Sequence, residues 1–182
     1  MRHIYYIISI TICLSVFSCA KEQENTTYDN QEDKINTYIT SQLSSVEGSR
    51  AVYYGKATRL ILKEGTGDSL AVNGNISFYY AGYVFESSSI SDDNLFATNH
   101  KATADGLKWE LSDTTSFDVL TVNLAESDFI TGLKTGLVGV KGGEESIIVF
   151  PGKYGYGKRK VGTIPAKSAL AYRIWVESIN NE

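Results

Sequence analysis

Residues 128–179 read DFITGLKTGLVGVKGGEESIIVFPGKYGYGKRKVGTIPAKSALAYRIWVESI, and the fold turns on how this stretch divides. Phe129, Ile130, Leu133 and Leu137 recur at helical spacing within Asp128–Val140, which predicts a short helix with one apolar side. Gly132, Gly136 and Gly139 lie in the same segment, and each weakens a free helix by ~1 kcal/mol against alanine. Such a helix needs a sheet beneath it. EESIIVF and ALAYRIWVESI supply predicted strands. In the second, Leu170, Tyr172, Ile174 and Val176 share the core face, while Arg173, Trp175 and Glu177 face outward. Between these strands lie both prolines of the chain, Pro151 and Pro165, and two tyrosines two residues apart, Tyr154 and Tyr156. The segment is a long turn with a short flap at Lys158–Thr163.

Upstream the apolar period is two from Ala51 onward. AVYYG, ATRLILKEG, NISFYYAGYVF and VLTVNL read as strands, and GTGD (Gly65–Asp68) as a turn. In Asn75–Phe85, Ile76, Phe78 and Tyr80 share a face. Residues 86–116 are polar and irregular, an excursion that holds Phe96 and Trp109. The fold class is therefore α+β: an antiparallel half-barrel sheet wrapped around one short helix on its concave face. An amphipathic helix precedes it. Asn30 caps that helix, Ile35, Tyr38, Ile39, Leu43 and Val46 form its stripe, and Gly48 stops it.

The chain start has a different composition. Arg2 and His3 are followed by IYYIISITICLSVF, then by Ser18 and Cys19. The apolar run falls short of the ~18 residues that span a bilayer as a helix. Its ending, VFSC, resembles the lipobox of bacterial lipoproteins, in which the cysteine is acylated. This implies a signal peptide at 1–18, lipid on Cys19, and location in the bacterial cell envelope at a membrane. The expected organisation is signal peptide 1–18, lipidated tether and N-terminal helix 19–49, and one globular domain 50–182, with residues 20–29 a flexible tether. The same resemblance implies that Cys13 leaves with the signal and Cys19 carries lipid, in which case no thiol remains for disulfides, thiol catalysis or cysteine metal sites. A net charge of −4 offers no electrostatic footprint for nucleic acid. The basic run Lys158–Lys160 is too short to alter that.

The usual catalytic sets are missing. Only two histidines exist. His3 is in the signal, and His100 is read as a solvated loop histidine, so no Ser-His-Asp arrangement is available. GKYGYG has a phosphate-loop rhythm without the strand-loop-helix context a nucleotide site requires. No cofactor and no metal are expected.

The elements FITGLKTGL, YGYG, TIPAKSAL and AYRIWV occur in an order and spacing that resembles the FKBP-type peptidyl-prolyl cis-trans isomerases. The resemblance covers about residues 55–181 and is strongest after Asp128. It implies a prolyl pocket lined by Tyr80, Phe96, Phe129, Leu133, Ile164 and Tyr172, with Leu120, or Phe117 under a shifted alignment, as another wall. It also implies catalytic hydrogen bonds from the Ile130 backbone N–H and the Tyr156 hydroxyl. Proline-containing polypeptides are the implied substrates. Three features depart from the family pattern. Leu133 stands where the family carries a tryptophan floor, which predicts weak macrolide binding. Ala97 stands where it carries an aspartate, and residues 86–116 are longer than usual. The expected function is a membrane-anchored isomerase assisting exported or envelope proteins. The alternative is a non-catalytic binding lipoprotein that holds an envelope partner, and oligomeric state is left open.

Overall fold

The computed structural model describes residues 2–109 and 116–182, with side chains described from Glu22 onward. Cys19 and the apolar run before it lie outside the described side chains. In chain order the elements are α1 (Arg2–Ser45), β1 (Arg50–Tyr53), β2 (Thr58–Lys63), β3 (Thr66–Ser69), β4 (Asn75–Phe85), β5 (Leu95–Thr98), α2 (Lys101–Leu107), β6 (Leu120–Asn123), α3 (Thr131–Leu137), β7 (Lys141–Gly142), β8 (Glu145–Phe150) and β9 (Ala169–Asn180).

The main sheet runs β1-β2-β8-β9-β4-β5, all antiparallel, and β6 also pairs with β4. The long strand β4 divides its outer edge between two partners. β6 lies beside Asn75–Phe78 and β5 beside Ala81–Tyr83. Its other edge pairs with β9 along its whole length, with Gly82 opposite Tyr172.

Period-two alternation sorts the side chains between two cores. Ile148, Phe150, Leu170, Tyr172, Ile174, Phe78 and Leu137 meet on the concave face, where α3 packs. Ile147, Val149, Ala169, Ala171, Leu60 and Phe85 meet Ile35, Tyr38 and Ile39 of α1 on the opposite face. Ala169 and Ala171 of β9 belong to this second core, and α1 makes its sheet contacts with β1 and β8.

The glycines of α3 face its sheet. A Cβ on Gly132 would stand 2.3 Å from Phe150 Cγ, and one on Gly136 would stand 2.2 Å from Ile148 Cγ2. Their cost to helix propensity is exchanged for contact at backbone distance with β8. Arg59, buried at 3% exposure, fixes the other end of α3. Its Nη1 donates to the carbonyls of Gly136 (2.9 Å) and Val138 (2.8 Å), and its Nη2 to that of Gly139 (3.2 Å). A cation among the last carbonyls of a helix complements their partial negative charge. Arg59 Nε sits 3.3 Å from Glu144 Oε1 as an ion pair, without hydrogen-bond alignment. The Ser146 hydroxyl and the Lys141 N–H complete the coordination of the Glu144 carboxylate.

Five expectations change. Residues 20–29 are helical, not a flexible tether, because α1 begins well before Asn30. Tyr28 is 7% exposed, so burial rather than a cap holds that turn. Leu43, expected in the apolar stripe, is 39% exposed, whereas Gln42 and Val46 are half-buried, so the stripe runs past it on the neighbouring positions. Gly65–Asp68 is not a simple turn: Thr66–Ser69 forms β3, which pairs with β7 in a separate small sheet. Residues 86–116 include β5 and α2: β5 is held by pairing with β4, and α2 by its contact with β5, rather than by strong local periodicity. The predicted helix at Asp128–Val140 contracts to Thr131–Leu137, and Phe129 precedes it.

Candidate active site

A cavity of about 380 Å³ opens on the concave face. Phe78 and Tyr80 of β4, Phe96 and Ala97 of β5, Leu120 of β6, Leu133 of α3 and Tyr172 of β9 line it. Phe129 and the loop residues Tyr156 and Val161–Ile164 complete the wall. The strands supply these residues because same-face positions recur every second residue, as at Phe78 and Tyr80. The helix supplies Leu133 because the Gly132 and Gly136 contacts hold α3 flat on β8.

The rings form one continuous packing. Phe78 meets Phe129 edge-on at 6.1 Å and Tyr80 at 6.2 Å. Tyr172 contacts Tyr80 at 6.3 Å, receives Phe96 edge-on at 5.7 Å and stacks on Phe150 at 6.0 Å. Edge and offset geometries are the favourable ones for aromatic quadrupoles.

The gap between β5 and β6 on the edge of β4 is closed by a buried amide. Asn99 Oδ1 accepts from the Tyr80 N–H at 2.7 Å. Its Nδ2 donates to the carbonyls of Asp118 (3.0 Å) and Phe78 (3.4 Å). The Thr98 hydroxyl donates to the Tyr80 carbonyl at 2.7 Å. Asn99 thus joins the strand that carries Phe96 to the segment leading into Leu120. No local pattern announced this role. A buried asparagine in a polar stretch is recognisable only once its backbone partners are known.

Among the described residues no carboxylate, lysine or arginine lines the cavity. The polar side chains that the described residues bring to its wall are hydroxyls: Tyr80, Tyr156, Tyr172 and Thr163. Burial raises the Tyr172 hydroxyl above the ordinary phenol range, and the neighbouring Tyr156 hydroxyl adds to this. Burial also raises Tyr80, again with a contribution from Tyr156. Both therefore remain protonated at neutral pH and can donate.

Tyr80, Phe96, Leu120, Phe129, Leu133, Tyr156, Ile164 and Tyr172 all border this one cavity. Ile130 does not. Its side chain packs on the core beside the cavity, and the residue is the N-cap of α3. Among the described residues its N–H donates to no other group. Phe78 and the flap residues Val161–Thr163 are additional lining residues. From the sequence alone Phe78 reads only as a core-facing strand position. His100 is not a free loop side chain: it stacks on Trp175 at 3.8 Å and 14°. Burial first, and Arg173 second, lower its pKa. Among the described residues no group of three or more metal-ligating side chains occurs, and no helix is long and apolar enough to cross a membrane.

An antiparallel half-barrel around a short helix, with an aromatic cavity at the helix start, defines a class of protein. The family profile of FKBP-type peptidyl-prolyl cis-trans isomerases matches residues 66–177, and the chain belongs to this family. It is 26% identical over 122 residues to FK506-binding protein 1 of Aspergillus oryzae, spanning 67% of this chain and 97% of that protein. Its fold is similar to FkpA from Escherichia coli, with a TM-score of 0.57 and 19% identity over 94% of this chain and 71% of that one. A peptidyl-prolyl cis-trans isomerase from Pseudomonas syringae pv. tomato gives 0.54 and 17%, over 83% and 96% of the two chains.

Proposed function

We propose that this cavity binds a prolyl residue and accelerates rotation about the X–Pro bond of exported or envelope proteins, from a position tethered to a membrane by lipid on Cys19. The observation that carries the catalytic part is the composition of the wall: aromatic and aliphatic surface with hydroxyls as its polar side chains. Rotation about an amide breaks no covalent bond, and its barrier of ~18–20 kcal/mol comes from resonance. The planar amide is the more charge-separated form, so a low-dielectric wall raises the ground state relative to the twisted transition state. Oriented donors then hold the peptide where that difference acts. The Ile130 N–H and the Tyr156 hydroxyl serve as those donors. Leu133 is the apolar floor under the proline ring. Tyr172 places a further hydroxyl in the pocket, whose wall at Ala97 carries no carboxylate. No cofactor or metal is needed for this chemistry.

A protease-coupled prolyl-peptide assay on the full chain in detergent tests the reading. The expected result is a rate that rises linearly with protein concentration. Tyr156→Phe is expected to lower kcat/KM about fivefold, the loss of one transition-state hydrogen bond, with the melting temperature nearly unchanged. Peptide binding without acceleration would favour the alternative, a binding lipoprotein, to which the absence of a carboxylate at Ala97 lends support. The anchor has its own test. Incorporation of a fatty-acid analogue that disappears in Cys19→Ala supports lipidation, and equal labelling of both forms removes it.

A further inference from the structure

The loop that carries Tyr156 and the flap begins and ends at a narrow neck. Gly152 and Lys167 meet there at backbone distance, and a Cβ on Gly152 would stand 2.3 Å from the Lys167 carbonyl oxygen. The Lys167 N–H donates to the Gly157 carbonyl at 2.6 Å. Lys167 itself has φ +63°, a left-handed conformation that costs a non-glycine residue on the order of 1 kcal/mol and persists only when its surroundings enforce it.

Gln31 of α1 spans this neck from outside the domain. Its Nε2 donates to the Lys167 carbonyl at 2.7 Å, and its Oε1 accepts from the Gly152 N–H at 2.8 Å. Only one orientation of the amide satisfies both partners, a donor at one end of the loop and an acceptor at the other. Two ion pairs run from the same helix to the same loop, Glu32 with Lys153 and Glu24 with Lys158 (2.7 Å). Their exposure makes them weak, so the part-buried amide is the stronger link. Tyr156, Val161, Gly162, Thr163 and Ile164 all line the cavity from this loop. A compact loop whose ends are close is positioned chiefly by what closes those ends.

We propose that Gln31 is a positioning residue for the prolyl site, an inference that rests on the isomerase reading of the cavity. By clasping Gly152 to Lys167 it sets the orientation of Tyr156 and Ile164, and it makes the site's geometry depend on docked α1. The helix is then part of the active site's support as well as a connection to the chain start.

The test compares the full chain with Gln31→Met and Gln31→Glu. Methionine keeps the length and apolar stem and removes both hydrogen bonds. Glutamate keeps the acceptor for Gly152 and turns a second acceptor toward the Lys167 carbonyl, so it should not restore the clasp. Both variants are expected to accelerate amide exchange across residues 153–167 about tenfold, while exchange in β8 and β9 stays at the wild-type rate. Both are expected to lower kcat/KM about fivefold, chiefly through KM, because a pocket wall has been loosened. Unchanged loop exchange in Gln31→Met would overturn the proposal. Faster exchange spread equally over β8 and β9 would also overturn it, by showing a general stability effect. Exchange does not depend on turnover. An inactive wild type therefore removes the isomerase reading alone, and unaltered loop exchange removes the clasp alone.

Discussion

Two helices press on opposite faces of one sheet, and different means hold them there. α3, Thr131–Leu137, brings its glycines onto β8 at backbone distance, and a buried guanidinium binds its final carbonyls. α1 lays the larger side chains of Ile35, Tyr38 and Ile39 over the opposite face and reaches the site loop through Gln31. A seven-residue helix cannot form alone in water, since nucleation exceeds what so few bonds return. Its existence is a property of the sheet. α1 carries an apolar stripe of its own, and its contribution lies in what it covers. The site sits on the first helix's side, while the second supports that site from behind.

Removing the means that hold α3 should cost most. Arg59→Ala takes the cation from its C-terminal carbonyls and leaves Glu144, 2% exposed, buried without its partner. The expected loss is about 4 kcal/mol in urea unfolding, and Arg59→Lys should restore little, because one ammonium cannot reproduce the guanidinium fork. A loss below about 1 kcal/mol would mean that the pair behaves as a surface contact. On the other face, Ile39→Ala removes a side chain that is 1% exposed, with an expected cost of about 3 kcal/mol. If α1 were only loosely attached, the change would be near zero and the two faces would not be comparable.

Gly136→Ala sharpens the contrast in contact distance. Alanine favours a helix by about 1 kcal/mol, but its Cβ would meet Ile148 at 2.2 Å. Overpacking should dominate and leave a net loss of about 2 kcal/mol. A net gain would show that α3 has room to lift from β8.

A further contrast is alkaline. Tyr38 on the α1 side is pushed from 10.0 up to about 12, mainly by burial and against a lowering contribution from Arg173. Tyr172 on the α3 side is raised by burial, with help from Tyr156. Above pH 10 the unfolded chain releases these protons while the folded protein keeps them, so the folded state binds more protons and stability falls as pH rises. Their contribution is constant below pH 10, and the share from Tyr38 is lost between 10 and about 12. Urea midpoints measured across this range check the sign. Tyr38→Phe should flatten the α1 share of the slope and leave that of Tyr172.

The alternation of β4, β8 and β9 was legible because a strand with one buried face repeats every two residues. The glycine-interrupted helix was legible because its apolar spacing demanded a sheet. Residues grouped by the motifs, Tyr80, Phe96, Phe129, Leu133, Tyr156, Ile164 and Tyr172, border one cavity. β3 and β5 were not legible. TGDS and LFAT carry little alternation, and each forms only where a partner strand meets it. The early start of α1 was hidden for a related reason: residues 22–27 are polar, and their helix is held by Tyr28 and the contacts beyond it.

Side-chain chemistry and local periodicity thus determined which segments face a core, which aromatic and apolar residues can line a dry pocket, and which family these elements resemble. Tertiary structure alone decided that Asn99 joins β5 to the segment before β6, that Arg59 holds the end of α3, and that Gln31 closes the neck of the site loop. The reason is distance along the chain. Alternation is written between residues two apart and helical stripes between residues three or four apart. The bond from Gln31 to Lys167 joins positions 136 apart, and only the packing of α1 against the sheet brings them together.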